Sequence, residues 1–95
     1  MIVSMLKCII ELPGIQSIKD KRKIVKSLKD KIRHKFKVTI AEVDLHDSLG
    51  FAQIGVALVS NSNPFGRSVM QKILKYIEDT VPGNLMDSAI ASETF

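Results

Sequence analysis

Four side chains that could bind a metal ion lie close together near the middle of the chain. They are Glu42, Asp44, His46 and Asp47. Carboxylate oxygens and an imidazole nitrogen are ligands for divalent cations, so this cluster could in principle hold one. However, neither a Glu-x-x-His nor a His-x-x-x-His spacing is present, and such residues in a polar connection are usually turn formers. We therefore expect no metal and no other cofactor.

Positive charge is concentrated between residues 17 and 37. Ten of the fourteen Lys and Arg residues and two of the ten acids lie between positions 19 and 37, a net charge of +8, so the rest of the chain carries −4. The apolar periodicity predicts one helix over this stretch, with Ser17 as N-cap. Five cations fall within about 80° on one flank of that helix. We call this set the basic ridge: Lys19, Arg22, Lys26, Lys29 and Arg33.

The basic ridge breaks two electrostatic preferences of helices. Cations such as Lys19 and Arg22 occupy the first turns, where the helix dipole favours acids by about 0.3–1 kcal/mol per charge. Like charges also follow one another at i+3 or i+4, as in Arg22 with Lys26, each pair costing about 0.2–0.5 kcal/mol. A solvated surface is the alternative interpretation. We favour a polyanionic partner, because uncompensated violations of local rules are typical of functional sites.

Glu42 is surrounded in the sequence by apolar residues of a predicted strand. If its side chain points inward, the carboxylate needs a cationic partner. Lys21, Arg22 or another sheet-facing base could provide the charge, and we predict a structural salt bridge between Glu42 and such a residue. His34 falls away from both the core stripe and the basic ridge, so we expect it to be solvated.

Motifs of catalysis are absent from the chain. It contains no GxSxG, no phosphate-binding glycine loop and no Cys–His pairing, and we expect no enzymatic activity. The third predicted strand holds one aromatic residue, Phe51, and the first holds none. Base stacking on the sheet is therefore not expected.

The elements that must position these residues follow one another as β-α-β-β-α-β. Strands are predicted over residues 1–12, 37–43, 51–60 and 85–95, the first helix over 17–37, and a second helix from Pro64, with Asn63 as N-cap, to the stop at residues 81–83. Gly55, inside the third strand, indicates a bulge or a close approach. This order predicts an α+β ferredoxin-like two-layer sandwich: a four-stranded antiparallel sheet with two helices on one face, forming a single domain over residues 1–95.

The sheet face opposite the helices is expected to be apolar. The residues assigned to this open face are Val3, Met5, Ile9, Ala41, Val43, Phe51, Ala57 and Val59. A contiguous apolar surface of this kind is typical of an interface or a ligand site. We predict a homodimer that buries this face or a sheet edge.

Composition places few further bounds on the chain. The single Cys8 excludes a disulfide framework, and no apolar run reaches the roughly 18 residues of a membrane span. We expect a cytoplasmic protein that does not bind membranes, with Cys8 in the core.

Three segments resemble a known family: SIKDKRKIVKSL from Ser17, RHKFKVTIAEVD from Arg33 and AQIGVALVS from Ala52. With Asp47 and Gly55, they are similar to the YlxP-like family of small bacterial proteins of unknown function, over roughly residues 2–80. The resemblance implies a ferredoxin-like fold and gene neighbourhoods shared with transcription elongation, translation initiation and ribosome maturation factors. Leu49 and Lys37 stand where many members carry Trp and Asn.

These observations lead to three hypotheses. The first is a non-enzymatic module whose basic ridge binds phosphates of structured RNA or the ribosome. The second is an assembly module that binds an acidic protein. The third, which ranks last, is a small-molecule enzyme or sensor that uses the open face and the connection at residues 44–50.

Overall fold

A computed structural model describes all residues from 1 to 95. The elements follow the predicted order: β1 (Ile2–Glu11), α1 (Ile18–Phe36), β2 (Thr39–Asp44), β3 (Phe51–Ser60), α2 (Asn63–Thr80) and β4 (Asn84–Thr94). The four strands form one antiparallel sheet in the order β2-β3-β1-β4. The ferredoxin-like topology predicted from the sequence is confirmed.

The core lies between the sheet and the two helices. β1 alternates strictly, so that Leu6, Cys8 and Ile10 are each about 1% exposed on the helix-covered face. Ile32 of α1 and Ile73 of α2 are fully buried against them. No element covers the open face, where Val43 and Val59 are 50% and 61% exposed.

The ends of α1 are set by local hydrogen bonds. Ser17 caps the first turn, since its hydroxyl accepts a bond from the Asp20 N–H at 3.1 Å. At the other end Lys37 adopts a left-handed conformation, with φ of 56°, and its N–H donates to the Arg33 carbonyl. Lys37 therefore ends the helix, whereas the sequence pattern predicted that β2 begins there. The buried Val38 leads into the strand.

Two local features of the second half of the chain were not predicted from the sequence. The N-cap of α2 is Ser62 rather than Asn63, because the Ser62 hydroxyl accepts the Phe65 N–H at 3.3 Å. In β4 the register with β1 shifts between Ile9 and Ile10. The shift accommodates Met86 as an extra residue, so Leu85 turns toward the core while Met86 is 55% exposed. Such a bulge depends on the partner strand and has no signal in the alternation itself.

Gly55 lies beside the second irregularity of the sheet. The pairing of β2 with β3 shifts between Glu42 and Asp44, which leaves Val43 as the bulged residue. A Cβ atom on Gly55 would lie 2.8 Å from Val43 Cγ1. Any side chain at position 55 would therefore displace the side chain of the half-exposed Val43.

Neither helix combines the length and apolar character that crossing a bilayer requires.

Candidate nucleic-acid interface

The basic ridge lies along the side of α1 that borders β2. Arg22, Lys26, Lys29 and Arg33 line a groove of ≈ 420 Å³ whose other wall includes Glu42 of β2. Because β2 is an edge strand, this groove opens at one side of the molecule. The predicted helix therefore brings these four cations together as expected. Lys19 lies one turn earlier, exposed, near the start of α1.

One acid partly neutralises the basic ridge. Asp30 accepts bonds from Lys26 Nζ at 2.8 Å and from an Arg33 guanidinium nitrogen at 3.3 Å. The hydrogen bond from Lys26 is the main reason that the pKa of Asp30 lies below its ordinary value. Asp30 therefore compensates part of the repulsion between Lys26 and Arg33 that the sequence pattern indicated.

Lys19, Arg22 and Lys29 differ from the other two ridge cations. No carboxylate lies within 4.0 Å of their charged nitrogens. Lys29 is half-buried at the groove, whereas Lys19 and Arg22 are exposed. The uncompensated part of the basic ridge therefore consists of these three residues.

Arg33 has a second contact, which the sequence pattern did not indicate. Its other terminal nitrogen donates to the Ile40 carbonyl of β2 at 3.1 Å. Arg33 thus ties the last turn of α1 to the edge strand, and its substitution would affect the fold as well as the charge. Only the tertiary packing of α1 beside β2 brings these two groups together.

Lys21 and Glu42 form the most buried charged contact of the molecule. The Lys21 and Glu42 side chains are 2% and 14% exposed, and Lys21 Nζ lies 3.1 Å from Glu42 Oε2. Nζ also donates to the Leu45 carbonyl at 2.6 Å. The contact with Oε2 is off the hydrogen-bond direction, so it is an electrostatic contact, and Oε2 has no other partner. Arg22, the alternative partner, forms no ion pair with Glu42.

Lys21 lies in the core-facing arc of the helical wheel of α1. Because lysine is rarely buried, its residue type alone did not predict a core position. The signal was available, because Lys21 falls between Val25 and Leu28 on the wheel. The chain folds in this way because Glu42 points inward from β2 and the Leu45 carbonyl lies just beyond it. Together they give the Lys21 ammonium two oxygen partners inside the domain.

Three of the four candidate metal ligands, Glu42, Asp44 and His46, are in contact with other groups. His46 Nε2 donates to the Glu42 carbonyl at 3.1 Å, and Asp44 Oδ1 accepts the Leu45 N–H at 2.7 Å. Asp47 is exposed in the same connection. No group of three or more His, Cys, Asp or Glu side chains in the molecule is arranged to hold a metal ion. His34 is exposed on α1.

Comparisons with known proteins agree on a family and on a fold. A family model described as "Protein of unknown function (DUF503)" matches residues 3–90. The chain is 32% identical over 72 residues to the uncharacterized protein YlxP of Bacillus subtilis strain 168, with 76% of each chain covered. Among solved structures, the structural-genomics protein YJCS superposes with a TM-score of 0.54 at 8% identity, covering 94% of this chain and 96% of that one. That likeness concerns the fold alone.

Proposed function

Since this chain belongs to the DUF503 family of proteins of unknown function, we propose that it is a cytoplasmic, non-enzymatic binding module whose basic ridge contacts the phosphates of structured RNA. The observation that supports this most strongly is the row of five cations along one flank of α1, four of which line one groove, with Asp30 as the only acid on the same flank. A row of fixed positive charges is complementary to a polyphosphate backbone.

The existing ion pair would not prevent phosphate binding. The Lys26 and Asp30 side chains are 75% and 50% exposed. Exposed pairs of this kind contribute about 0–1 kcal/mol, so a phosphate can compete for Lys26. Lys19, Arg22 and Lys29 have no carboxylate to release. Four of the five ridge cations are thus available, and Arg33 adds charge while it remains bonded to Ile40.

This mode of binding follows the shape of the RNA rather than its sequence. Phe51 is the sole aromatic residue on the sheet strands, so bases have no row of rings on which to stack. Five phosphate contacts would give a slope of log K against log salt of roughly −4 to −5 on duplex-like nucleic acid. Affinity would therefore fall steeply with salt.

An acidic protein is the alternative partner for the same cations. The gene neighbourhoods implied by the family resemblance support RNA or the ribosome instead. Affinity purification from cell extract, with and without nuclease, separates the two. Loss of the co-purifying material after nuclease treatment supports RNA, whereas retention of an acidic protein contradicts it.

Charge-neutralising variants provide the direct test. Lys29→Gln and Arg22→Gln should each reduce the magnitude of the salt slope by about one and weaken retention of structured RNA. Lys7→Gln is the matched control, because Lys7 is exposed on the open face, away from the helices. This substitution lowers the net charge by one, as each ridge variant does. Equal effects of the ridge and control variants would show that only net charge matters and would refute the proposed interface.

A further inference from the structure

The two edges of the sheet are protected to different extents. Edge strands expose backbone groups that can pair with another chain unless they are blocked. On β2, the Ile40 carbonyl accepts Arg33 and the Glu42 carbonyl accepts His46, both at 3.1 Å. The bulge at Val43 interrupts this edge further. The β2 edge is therefore short and closed.

The other edge strand, β4, is nearly twice as long and remains open. None of its carbonyls within the strand accepts a side-chain bond, and between Asp87 and Glu93 it contains only the uncharged run Ser-Ala-Ile-Ala-Ser. Just one N–H of that run has a side-chain partner: Ser88 donates to Asp87 Oδ1 at 2.9 Å. Small, uncharged residues allow a second strand to approach closely.

The direction of the β4 backbone groups can be derived from these bonds. Phe95 exchanges bonds with Met1 at the β1 side, whereas the Ser88 N–H bonds to a side chain. Because bonding alternates along an antiparallel strand, odd-numbered residues of this segment face β1. Ser88, Ile90 and Ser92 therefore direct their N–H and C=O groups toward the free edge.

We propose that β4 pairs antiparallel with β4 of a second copy, about a two-fold axis at Ala89, to form an eight-stranded sheet. In this register Ser88 pairs with Ile90 of the second copy, and Asp87 lies opposite Ala91. A register centred on Ile90 would instead place Asp87 opposite Glu93, and like charges directly opposite are destabilising. An axis at Ala89 gives a symmetric contact of the kind that closed dimers use.

The helices support the same arrangement. α2 packs over β1 and β4, so with strands 4.7–4.9 Å apart the two α2 axes would lie about 10 Å from each other. Packed helices are typically separated by 8–10 Å. The pairing of β4 would therefore bring α2 and its copy into contact along one flank.

That flank of α2 has complementary charges. Ser68, Lys72 and Tyr76 line the groove facing α1, and at 100° per residue Arg67, Leu74 and Glu78 lie on the opposite flank, toward β4. Arg67 is near the start of α2 and Glu78 near its end. Two antiparallel copies would thus bring each Arg67 toward the Glu78 of the other, with the half-buried Leu74 between them.

Matched substitutions on the two edges test the dimer. Wild type should sediment at about twice 10.6 kDa. Ala91→Asp places an acid opposite Asp87 of the second copy and should raise the dissociation constant of the dimer about tenfold or more, since two like-charge pairs are created. Ala41→Asp is the control, because Ala41 is also exposed on the open face but belongs to β2.

Four outcomes would overturn the proposal. Monomeric wild type at micromolar concentrations excludes the dimer. Dissociation by both variants indicates stacking of the open faces, and dissociation by Ala41→Asp alone indicates the β2 edge. An unchanged dimer in both variants places the interface elsewhere. Circular dichroism of each variant verifies that the fold is retained.

A cysteine variant tests the register. The backbone groups of Ala89 bond to β1, so in the proposed pairing of the two β4 strands Ala89 and Ala89 of the second copy form a non-hydrogen-bonded pair. Cysteines at two such positions are close enough to form a disulfide. Ala89→Cys should therefore form a covalent dimer under mild oxidation, and Ala91→Cys should not. Cys8 is buried and should not react in either variant. Cross-linking of Ala91→Cys but not of Ala89→Cys would refute the register centred on Ala89.

Discussion

The buried pair of Lys21 and Glu42 allows the sharpest test of the energetics of this fold. Removing one member of a buried ion pair typically destabilises a protein by 3–5 kcal/mol, because the remaining charge stays buried without its partner. Glu42 keeps 14% of its side chain exposed, and this partial hydration favours the lower end. We therefore expect Lys21→Met to lower the free energy of unfolding by about 3 kcal/mol.

Glu42→Gln should have a similar effect for a complementary reason. Lys21 would keep its bond to the Leu45 carbonyl, but its buried ammonium would have no negative partner, and a loss of about 3 kcal/mol is again expected. The double variant Lys21→Met with Glu42→Leu removes both charges and leaves one carbonyl unbonded. Its loss should be about 1–2 kcal/mol, far below the sum of the single losses.

Urea unfolding measures these differences through the midpoint at constant slope. Lys26→Met provides the control, because Lys26 pairs with Asp30 at the surface and its loss should change stability by about 0.5 kcal/mol or less. If the two single losses added in the double variant, Lys21 and Glu42 would not stabilise one another, and the ion pair would have no energetic role.

Three further predictions concern packing and titration. Gly66→Ala should lower the free energy of unfolding, measured by heat or urea, by about 1–3 kcal/mol, because its Cβ would lie 2.8 Å from Ser4 Cβ. Adding Ser4→Gly should recover part of that loss. The pKa of Asp30 is lowered in the folded state, so its stabilising contribution exists above its ordinary pKa of 3.8 and disappears as pH falls through the lower folded value. In an NMR titration Lys26→Met should move that pKa back toward 3.8, and an unchanged value would exclude Lys26 as the cause. Burial raises the pKa of Cys8 to about 11, so its thiol should not react with a disulfide reagent at neutral pH until the protein unfolds, and rapid labelling of native protein would contradict this.

The fold itself could be predicted from the sequence because its signals are local. Strict alternation in β1, the 3.6-residue period of α1 and the Ser17 cap depend on neighbours within a few positions. The same period defined the basic ridge, since the flank of a helix on which a side chain lies follows from its residue number alone. The family resemblance was likewise contained in contiguous segments.

Other features depended on contacts between segments that are distant along the chain. The bulge at Met86 arises from the register with β1, and the partners of Arg33 and Glu42 are set by how α1 lies against β2 and the connection that follows it. From the sequence, the predicted partners of Glu42 were Lys21, Arg22 or another sheet-facing base; Lys21 and Arg22 are adjacent residues separated by 100° on the helix. The wheel position of Lys21, between Val25 and Leu28, already distinguishes it from Arg22. The second oxygen, from the Leu45 carbonyl, is set by tertiary packing alone, because that carbonyl lies in the connection after β2.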